Sequence, residues 1–390
     1  MCDITLHRAA RSDQDDDTNW TVNDILRQFG PVYLNKYRDR MSLDQIRALE
    51  ALARCRMPEA GSVAYRCREC AALHHVPKSC GNRHCPGCQG EKAREWLAEQ
   101  QARLLPCAYF LMTFTMPAEF RRFARSHPRE CYRALFEAAN QAMCELAKNP
   151  KHLGSDRLGM TGVLHTWGRD LNYHPHVHFI VPGGALSRDG KQWIASRVNF
   201  FLPVRALSIL FRAKYKECLR NAGLLGQVRN EVWRRAWIVN CQAVGDGRDA
   251  LRYLAPYVFR VAIGNHRIRR VVCHEDGTGT VTFLVKPSGQ RRYRPMTVTA
   301  EEFIRRFLQH VLPRGFQKVR HYGFMHKRSK VRPRWLEMLV TVTLNMVYVL
   351  NVTCEIKPPK PQRRCPDCGG VLDCLGYRPP PRCIPTLDSS

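Results

Sequence analysis

Residues 174–184 read HPHVHFIVPGG, in which histidines at alternate positions run into an apolar, β-branched segment. The alternation predicts a strand, because successive side chains of a strand project from opposite faces. His176 and His178 then share one face, and Val177 points into the core between them. Two imidazoles on one strand face can hold a divalent cation together. A run of surface or core histidines is the competing interpretation, and three histidines in five residues disfavour it.

The remaining ligands of such a metal site are less well defined. His165, in the predicted strand LHTWG (Leu164–Gly168), is a candidate third ligand, although a hydrogen-bonded core histidine fits that position equally well. His174 has the parity of His176, but Pro175 leaves its direction open. Imidazole ligation suits several divalent ions, so the sequence alone does not identify the metal.

A tyrosine pair lies downstream of the histidines. Residues 252–263 read RYLAPYVFRVAI, which places Tyr253 and Tyr257 four positions apart, on one face if the segment is helical. A tyrosine can attack a phosphodiester and retain the DNA end as a phosphotyrosine. Its pKa of about 10 means that it needs a polarised phosphate or a nearby base. Aromatic packing is the alternative, and Pro256 leaves open a kinked helix or one that begins at the proline.

The charge of the chain points to a polyanionic partner. Lys and Arg number 62 against 34 Asp and Glu, a formal net charge of +28, and such a surplus is typical of nucleic-acid binding. A membrane surface would require a basic amphipathic helix or a lipidation signal, and the sequence shows neither. Basic residues interleaved with aromatics can follow phosphates and stack on unpaired bases, whereas a solvated charged face is the alternative. The DNA-binding candidates are Arg260, Arg267, Arg269, Arg314, Lys318 and Arg320.

The chain carries 18 cysteines, several of them in C-x-x-C pairs. Cys67 and Cys70 are separated from Cys85 and Cys88 by 14 residues. Two such pairs predict one structural, tetrahedral zinc site with four thiolates. A substituted ligand stays open, and its candidates are Cys80, His74, His75 and His84.

A second cysteine group lies near the C-terminus. Cys365 and Cys368 form another C-x-x-C pair, followed by Cys374 and Cys383 at irregular spacings. A second zinc knuckle and reduced thiols in a mobile tail are both compatible with this pattern.

The order of predicted elements indicates an α+β fold with a central, mainly antiparallel sheet flanked by helices and a small N-terminal zinc-binding module. We expect a disordered N-terminus over residues 1–19, a helical and zinc-binding domain over 20–105, a catalytic domain with a basic C-terminal part over 106–352, and a Pro/Arg/Cys-rich tail over 353–390. Strands are predicted at Tyr109–Met116 and Trp237–Val244, helices at Pro128–Ala147 and Arg205–Ala222, and a mostly helical segment at Asp249–Ile263.

Taken in order, these motifs resemble the HUH endonucleases (His–hydrophobic–His), and among them the two-tyrosine rolling-circle transposases of bacterial insertion sequences, the insertion sequence ninety-one family. The resemblance covers most of the chain. It rests on SCGNRHCPGCQ (Ser79–Gln89), LHTWG (Leu164–Gly168), HPHVHFIVPGG (residues 174–184), YLAPYVFRVAI (residues 253–263) and HVLPRGFQKVRHYG (His310–Gly323).

The resemblance implies a mechanism. His176 and His178 would hold Mg²⁺ or Mn²⁺ against the scissile phosphate. Tyr253 or Tyr257 would attack it and leave a 5′-phosphotyrosine and a free 3′-OH. The implied partners are single-stranded DNA, hairpins at element ends and target DNA, without a nucleotide cofactor. A replication initiator or relaxase with the same chemistry is the enzyme alternative, and a zinc-dependent DNA-binding regulator is the non-enzyme alternative.

The location of the protein is also an expectation at this stage. The first residues lack the apolar region of a signal peptide, and the longest apolar run, Met338 to Val352, is too short and too polar to span a membrane. We therefore expect a cytoplasmic protein and, from the resemblance, a bacterial, nucleoid-associated one.

Overall fold

The computed structural model describes residues 20–168, 170–258, 262–286, 292–346 and 362–380. The N-terminus predicted to be disordered, residues 1–19, lies outside the described residues, and so do Arg260 and Cys383. Among the described residues, no helix is both long and apolar enough to cross a membrane.

Helices and antiparallel strands share the described part of the chain. The α-helices are α1 (Val22–Tyr37), α2 (Leu43–Ala53), α3 (Gly90–Gln101), α4 (Arg121–Ser126), α5 (Pro128–Ala147), α6 (Val204–Asn221), α7 (Arg248–Val258), α8 (Ala300–Leu308) and α9 (Pro333–Thr343). The strands are β1 (Ser62–Cys67), β2 (Leu73–Pro77), β3 (Tyr109–Thr115), β4 (Gly159–Trp167), β5 (Tyr173–Pro182), β6 (Gly184–Leu186), β7 (Trp193–Ala195), β8 (Ile238–Ala243), β9 (Ile268–Cys273), β10 (Gly279–Val285), β11 (Arg294–Thr299), β12 (Val319–Gly323) and β13 (Leu372–Arg378).

The strands form four sheets. A five-stranded sheet has the order β12-β4-β5-β3-β8, two three-stranded sheets have the orders β13-β1-β2 and β11-β10-β9, and β6 pairs with β7. The pairings between these strands are antiparallel. The predicted α+β class with an antiparallel central sheet is confirmed.

The five-stranded sheet is covered on both faces. Val177, Phe179 and Val181 of β5 belong to a core shared with α5 and α6, whereas Ile180 packs with α7 on the other face. Phe114 of β3 makes edge contacts with Phe179 at 6.0 Å and with Phe211 of α6 at 5.1 Å, and burying each such ring contributes about 2–3 kcal/mol. Since residues on a strand alternate faces, this packing fixes which side the histidines of β5 occupy.

Helix α7 lies on the histidine side of the sheet. Its apolar residues Leu251, Leu254 and Val258 recur at helical spacing and pack against Val163 and Ile180 of the sheet. The helix begins at Arg248 and continues through Pro256, so it does not begin at the proline.

The N-terminal helices form a separate packing unit with the sheet β11-β10-β9. Thr21 and Asp24 make a capping box that starts α1. The apolar face of α1, including Ile25 and Phe29, then packs in a core with Phe283 of β10 and residues of α8. This core joins segments that are far apart in sequence. It also includes Cys85 of the cysteine module and Trp167 of β4, so the module packs next to the central sheet.

At the C-terminal end, α9 packs against the β6-β7 hairpin through Leu336, Val340 and Trp193. The apolar run from Met338 begins inside this helix, and its end lies outside the described residues. Residues 362–380 belong to the tail for which a zinc knuckle and a mobile segment were both open. They contain β13, because this segment pairs with β1.

Candidate active site and metal clusters

Three histidines meet on the α7 side of the central sheet. His165 of β4 and His176 of β5 are paired across the two strands, and His178 follows two positions later on the face of His176. The ring centroid of His165 lies 5.3 Å from that of His176 and 4.6 Å from that of His178. One ring nitrogen from each of the three lies within 4.8 Å of the others. Three imidazole nitrogens are therefore close enough together to ligate one ion.

Hydrogen bonds orient two of these rings. His176 Nδ1 lies 2.7 Å from the carbonyl oxygen of His174, to which only an N–H can donate, so Nε2 of His176 is left as the ligand atom. His178 Nδ1 lies 2.9 Å from Oγ1 of Thr113, its cross-strand partner on β3. Such bonds to the second nitrogen fix the tautomer and ring orientation of metal-binding histidines.

The histidines are held in the neutral form that binds metals. Burial lowers the pKa of His178 to about 4, and burial together with the neighbouring imidazoles lowers the pKa values of His165 and His176 well below the ordinary range. Neutral imidazole is the ligand species, so the site needs to lose no proton near neutral pH.

His174, the fourth histidine of this region, has a different hydrogen-bond partner. Arg121 donates to its Nδ1 at 2.6 Å, and burial next to that guanidinium lowers the pKa of His174 to about 4. Among the described residues, His174 does not belong to the three-histidine group. The structure thus brings His165, and not His174, to His176 and His178.

Tyr253 approaches the histidines from α7. Its ring centroid lies 6.3 Å from that of His178, with the two rings nearly perpendicular, and the side chain is 51% exposed. Residue 257 occupies the same helix one turn further along, so positions 253 and 257 share a helix face. The side chain of Tyr257 lies outside the described residues. The exposed Tyr253 ring of α7 therefore lies next to the three-histidine group.

A basic cavity of about 1140 Å³ borders the end of α7 and reaches Lys318, whose ammonium lies 4.7 Å from the centroid of the Trp167 ring on which His165 stacks. It extends from the cysteine module and α3 to β12, and Val258 at the end of α7 lines it. Its cationic wall consists of Arg83, Lys318, Arg320, Lys327 and Arg328. Burial and the nearby Arg83 guanidinium lower the pKa of Lys318 to about 7, so a bound phosphate would favour its charged form.

The DNA-binding candidates are placed differently from one another. Lys318 and Arg320 line the cavity, and the Arg320 guanidinium stacks 4.6 Å from the ring centroid of Phe136. Arg269 and Arg314 are exposed on β9 and on the loop before β12. Arg267 Nε donates to the carbonyl oxygen of Leu284 at 2.7 Å, a contact that stabilises the base of the β9-β10 hairpin.

Eight of the described cysteines form two clusters of four. Cys55, Cys80, Cys85 and Cys88 make one, and Cys67, Cys70, Cys365 and Cys368 make the other. Sγ–Sγ distances are 3.6 Å for Cys55–Cys85 and 3.7 Å for Cys80–Cys88. A disulfide needs about 2.05 Å, whereas four thiolates 2.3 Å from a tetrahedral zinc lie about 3.8 Å apart. Both the donors and their spacing fit zinc.

The predicted single zinc site of Cys67, Cys70, Cys85 and Cys88 is wrong, because the two pairs lie in different clusters. The reason is β2, which separates them: five residues of strand span roughly 16 Å. Cys67 and Cys70 lie at the β1-β2 turn, whereas Cys85 and Cys88 follow the other end of β2, next to α1 and α2.

The other candidates of the cysteine module have structural contacts. His84 Nε2 accepts the backbone N–H of Leu312 at 3.1 Å, which joins the module to the loop before β12. Cys55 was missed, because a single cysteine at the end of a helix carries no spacing signal. Cys80, predicted as a possible substitute, is a member of the cluster near α1.

Comparisons with known proteins match two parts of the chain. A family model described as "Transposase zinc-binding domain" matches residues 25–116, and one described as "Putative transposase" matches residues 159–332. The first range contains the N-terminal cysteines, and the second contains the three histidines, α7 and β12. No solved structure matches the chain significantly.

Two curated proteins are similar over most of the chain. "Putative transposase y4qJ" of Sinorhizobium fredii is 38% identical over 328 residues, which cover 79% of this chain and 81% of the relative. "Transposase for insertion sequence element IS801" of Pseudomonas savastanoi pv. phaseolicola is 25% identical over 326 residues, or 77% of this chain and 75% of the relative.

Proposed function

Since the chain belongs to the insertion sequence ninety-one family of transposases, we propose that it nicks and rejoins single-stranded DNA at the ends of an insertion element through a 5′-phosphotyrosine intermediate. The reaction would drive transposition of the rolling-circle type. Hairpins at the element ends and target DNA are the proposed substrates.

One observation carries this proposal. Three imidazoles offer nitrogens within 4.8 Å of one another, and the Tyr253 ring lies 6.3 Å from one of them. A metal site that only stabilised the fold would need no exposed tyrosine beside it. A DNA-binding regulator would need neither the histidines nor the tyrosine.

The proposed cleavage is a transesterification. The phenolic oxygen of Tyr253 or Tyr257 bonds to the scissile phosphorus while the bond from phosphorus to the 3′ oxygen breaks. The phenolic proton passes to solvent, and the departing 3′ oxygen takes up a proton to become a 3′-OH. The phosphotyrosine retains the energy of the broken ester, so rejoining needs no nucleotide cofactor.

His165, His176 and His178 would hold the catalytic cation. A bound Mg²⁺ or Mn²⁺ supplies polarisation of the scissile phosphate and leaves ligand positions open for its oxygens. An all-imidazole set suits Mn²⁺ better than Mg²⁺, which prefers oxygen ligands. We therefore expect Mn²⁺ to support cleavage at a lower concentration than Mg²⁺.

The basic cavity is the proposed path of the single strand. It lies beside the end of α7 and is lined by Lys318, Arg320 and Arg328 together with the half-exposed ring of Trp96. Arginine and lysine contact phosphates, and aromatic rings stack on unpaired bases regardless of sequence. The cavity lining includes none of the three histidines, and Lys318 connects the cavity to them through the Trp167 ring, on which His165 stacks.

The shared face of positions 253 and 257 suits two successive cleavages. If one tyrosine holds a 5′ end, the other can attack a second end without release of the first. The single variants Tyr253→Phe and Tyr257→Phe distinguish the roles of the two tyrosines.

The test uses labelled single-stranded DNA that contains candidate element ends, with and without Mn²⁺, and detects a protein–DNA adduct on a denaturing gel. We expect a metal-dependent adduct that is lost in His176→Ala. It should also be lost in Tyr253→Phe, in Tyr257→Phe or in the double variant, and the variant that loses it identifies the nucleophile. Tyr293→Phe is the matched control, since Tyr293 is exposed to a similar degree, 54%, but precedes β11 of another sheet.

An adduct that survives in the double tyrosine variant would refute the nucleophile. Tight DNA binding without any adduct would instead favour the zinc-dependent regulator.

A further inference from the structure

The cluster of Cys67, Cys70, Cys365 and Cys368 joins two segments that lie about 300 residues apart. Cys67 Sγ lies 3.4 Å from Cys368 Sγ, and Cys70 Sγ lies 3.8 Å from Cys365 Sγ, across sequence separations of 301 and 295 residues. The family zinc-binding domain matches residues 25–116 and so contains only half of this cluster. Its two remaining cysteines come from the C-terminal segment.

From this geometry we propose a second structural zinc site, shared between the N-terminal module and the C-terminal segment, that fastens β13 to β1. The proposal concerns metal binding and is independent of the cleavage chemistry. The ligands are the four thiolates of Cys67, Cys70, Cys365 and Cys368, a closed tetrahedral set without an open position.

The surroundings of the cluster support thiolate ligation. Gly370 donates its backbone N–H to Cys368 Sγ at 3.4 Å, and His74 Nε2 lies 3.2 Å from Cys365 Sγ. Gly370 also lies so close to the cluster that an added Cβ would lie 2.9 Å from Cys67 Sγ. An N–H group directed at sulfur, such as that of Gly370, stabilises the thiolate that binds metal.

The small sheet β13-β1-β2 has too little apolar contact to hold its C-terminal strand. Five of the seven residues of β13 and three of the five residues of β2 are exposed, and Ala64 and Cys67 are the buried residues of β1. Small modules without a core usually depend on a metal or disulfides. The zinc site is therefore the expected source of stability.

The polar contacts between the two segments fix their register. Arg68 and Asp373 form an ion pair at 2.7 Å, and the Lys78 ammonium lies 4.3 Å from the ring centroid of Tyr377. Both contacts are exposed to solvent, where screening leaves an ion pair only a small contribution to stability. They align β13 on β1 but do not replace the metal.

The first test measures zinc bound to the purified full-length protein by elemental analysis under reducing conditions. Cys365→Ser combined with Cys368→Ser should bind one zinc fewer per chain than the parent. Cys374→Ser, on β13 but outside both clusters, should bind as much as the parent. A double variant that retains the parental zinc content would overturn the shared site.

The second test uses the unmodified chain and does not depend on how the variants fold. Cys70, Cys368 and Cys374 are all exposed, so accessibility alone predicts similar alkylation by iodoacetamide. Coordination predicts that Cys70 and Cys368 react at least tenfold more slowly than Cys374 in the zinc-loaded protein, and at similar rates after chelation. Cys368 reacting as fast as Cys374 before chelation would refute the proposal.

Discussion

Replacing Thr113 with valine should weaken metal binding at the three-histidine site without removing a ligand. Thr113 Oγ1 lies 2.9 Å from His178 Nδ1 across the β3-β5 pair. For Nε2 to bind the cation, Nδ1 must carry the proton and donate it to this hydroxyl. Valine keeps the shape of threonine but removes the acceptor, so the ring is free to rotate and to change tautomer.

The magnitude follows from this single bond. Loss of a partner behind a metal-binding histidine lowers metal affinity about 10–100-fold, which corresponds to about 1.4–2.7 kcal/mol. A buried donor left without an acceptor costs about 1–3 kcal/mol, in the same range. The assay measures the rate of protein–DNA adduct formation against Mn²⁺ concentration. The half-saturating concentration should rise 10–100-fold, with the plateau rate largely retained.

Thr161→Val is the matched control. Thr161 Oγ1 also lies 2.9 Å from a histidine Nδ1 on the neighbouring strand, but that histidine is His321, which lies outside the three-histidine group. The Mn²⁺ dependence of this variant should equal that of the parent. An unchanged Mn²⁺ requirement in Thr113→Val, or an equal rise in both variants, would refute the assigned orientation of His178.

Three further predictions concern stability and DNA binding. Gly323→Ala should lower the urea unfolding midpoint strongly, because residue 323 has φ +55° and an added Cβ would lie 1.6 Å from the Leu158 carbonyl oxygen. The control Gly315→Ala, at φ +75° with open space around the residue, should lower the free energy of unfolding by only about 1–2 kcal/mol. Burial lowers the pKa of His310 in the folded chain from its ordinary value of 6.5 to about 3. Between pH 6.5 and pH 3 only the unfolded chain takes up this proton, so the free energy of unfolding falls by about 2 kcal/mol from pH 7.5 to pH 5. His310→Gln should remove this part of the difference in urea midpoint between the two pH values, and replacement of the exposed His274 should not. Lys327→Gln with Arg328→Gln on the cavity rim should reduce the salt dependence of single-strand affinity, measured by fluorescence anisotropy, by roughly 1.4 in log–log slope, whereas Arg220→Gln at the end of α6 should leave it unchanged.

Local periodicity made much of the fold predictable. The helix predicted at Pro128–Ala147 has those same bounds, and the strand predicted at Tyr109–Met116 ends one residue earlier. Strands and helices impose repeats of about 2.0 and 3.6 residues, which a single segment displays without its neighbours. The shared face of His176 and His178 followed from the same rule.

The ambiguity at Pro256 needed the tertiary structure. From sequence, the proline allowed a kinked helix or one that starts there, and only the second would separate the faces of positions 253 and 257. The structure has a helix from Arg248 to Val258, which packs on the sheet through Leu251 and Leu254. Packing of an apolar face outweighs the local cost of a proline in the last turn.

The candidate metal-binding residue types, the strand that carries two histidines and the helical spacing of the tyrosines were predictable, because each is a property of one short segment. Which of these residues lie together depends on the tertiary structure. Pairing of β4 with β5 selects His165 as the third histidine, and β2 and β13 distribute the cysteines between two clusters. Strand pairing brings together residues up to 301 positions apart. That pairing cannot be predicted from the spacing of cysteines along the chain.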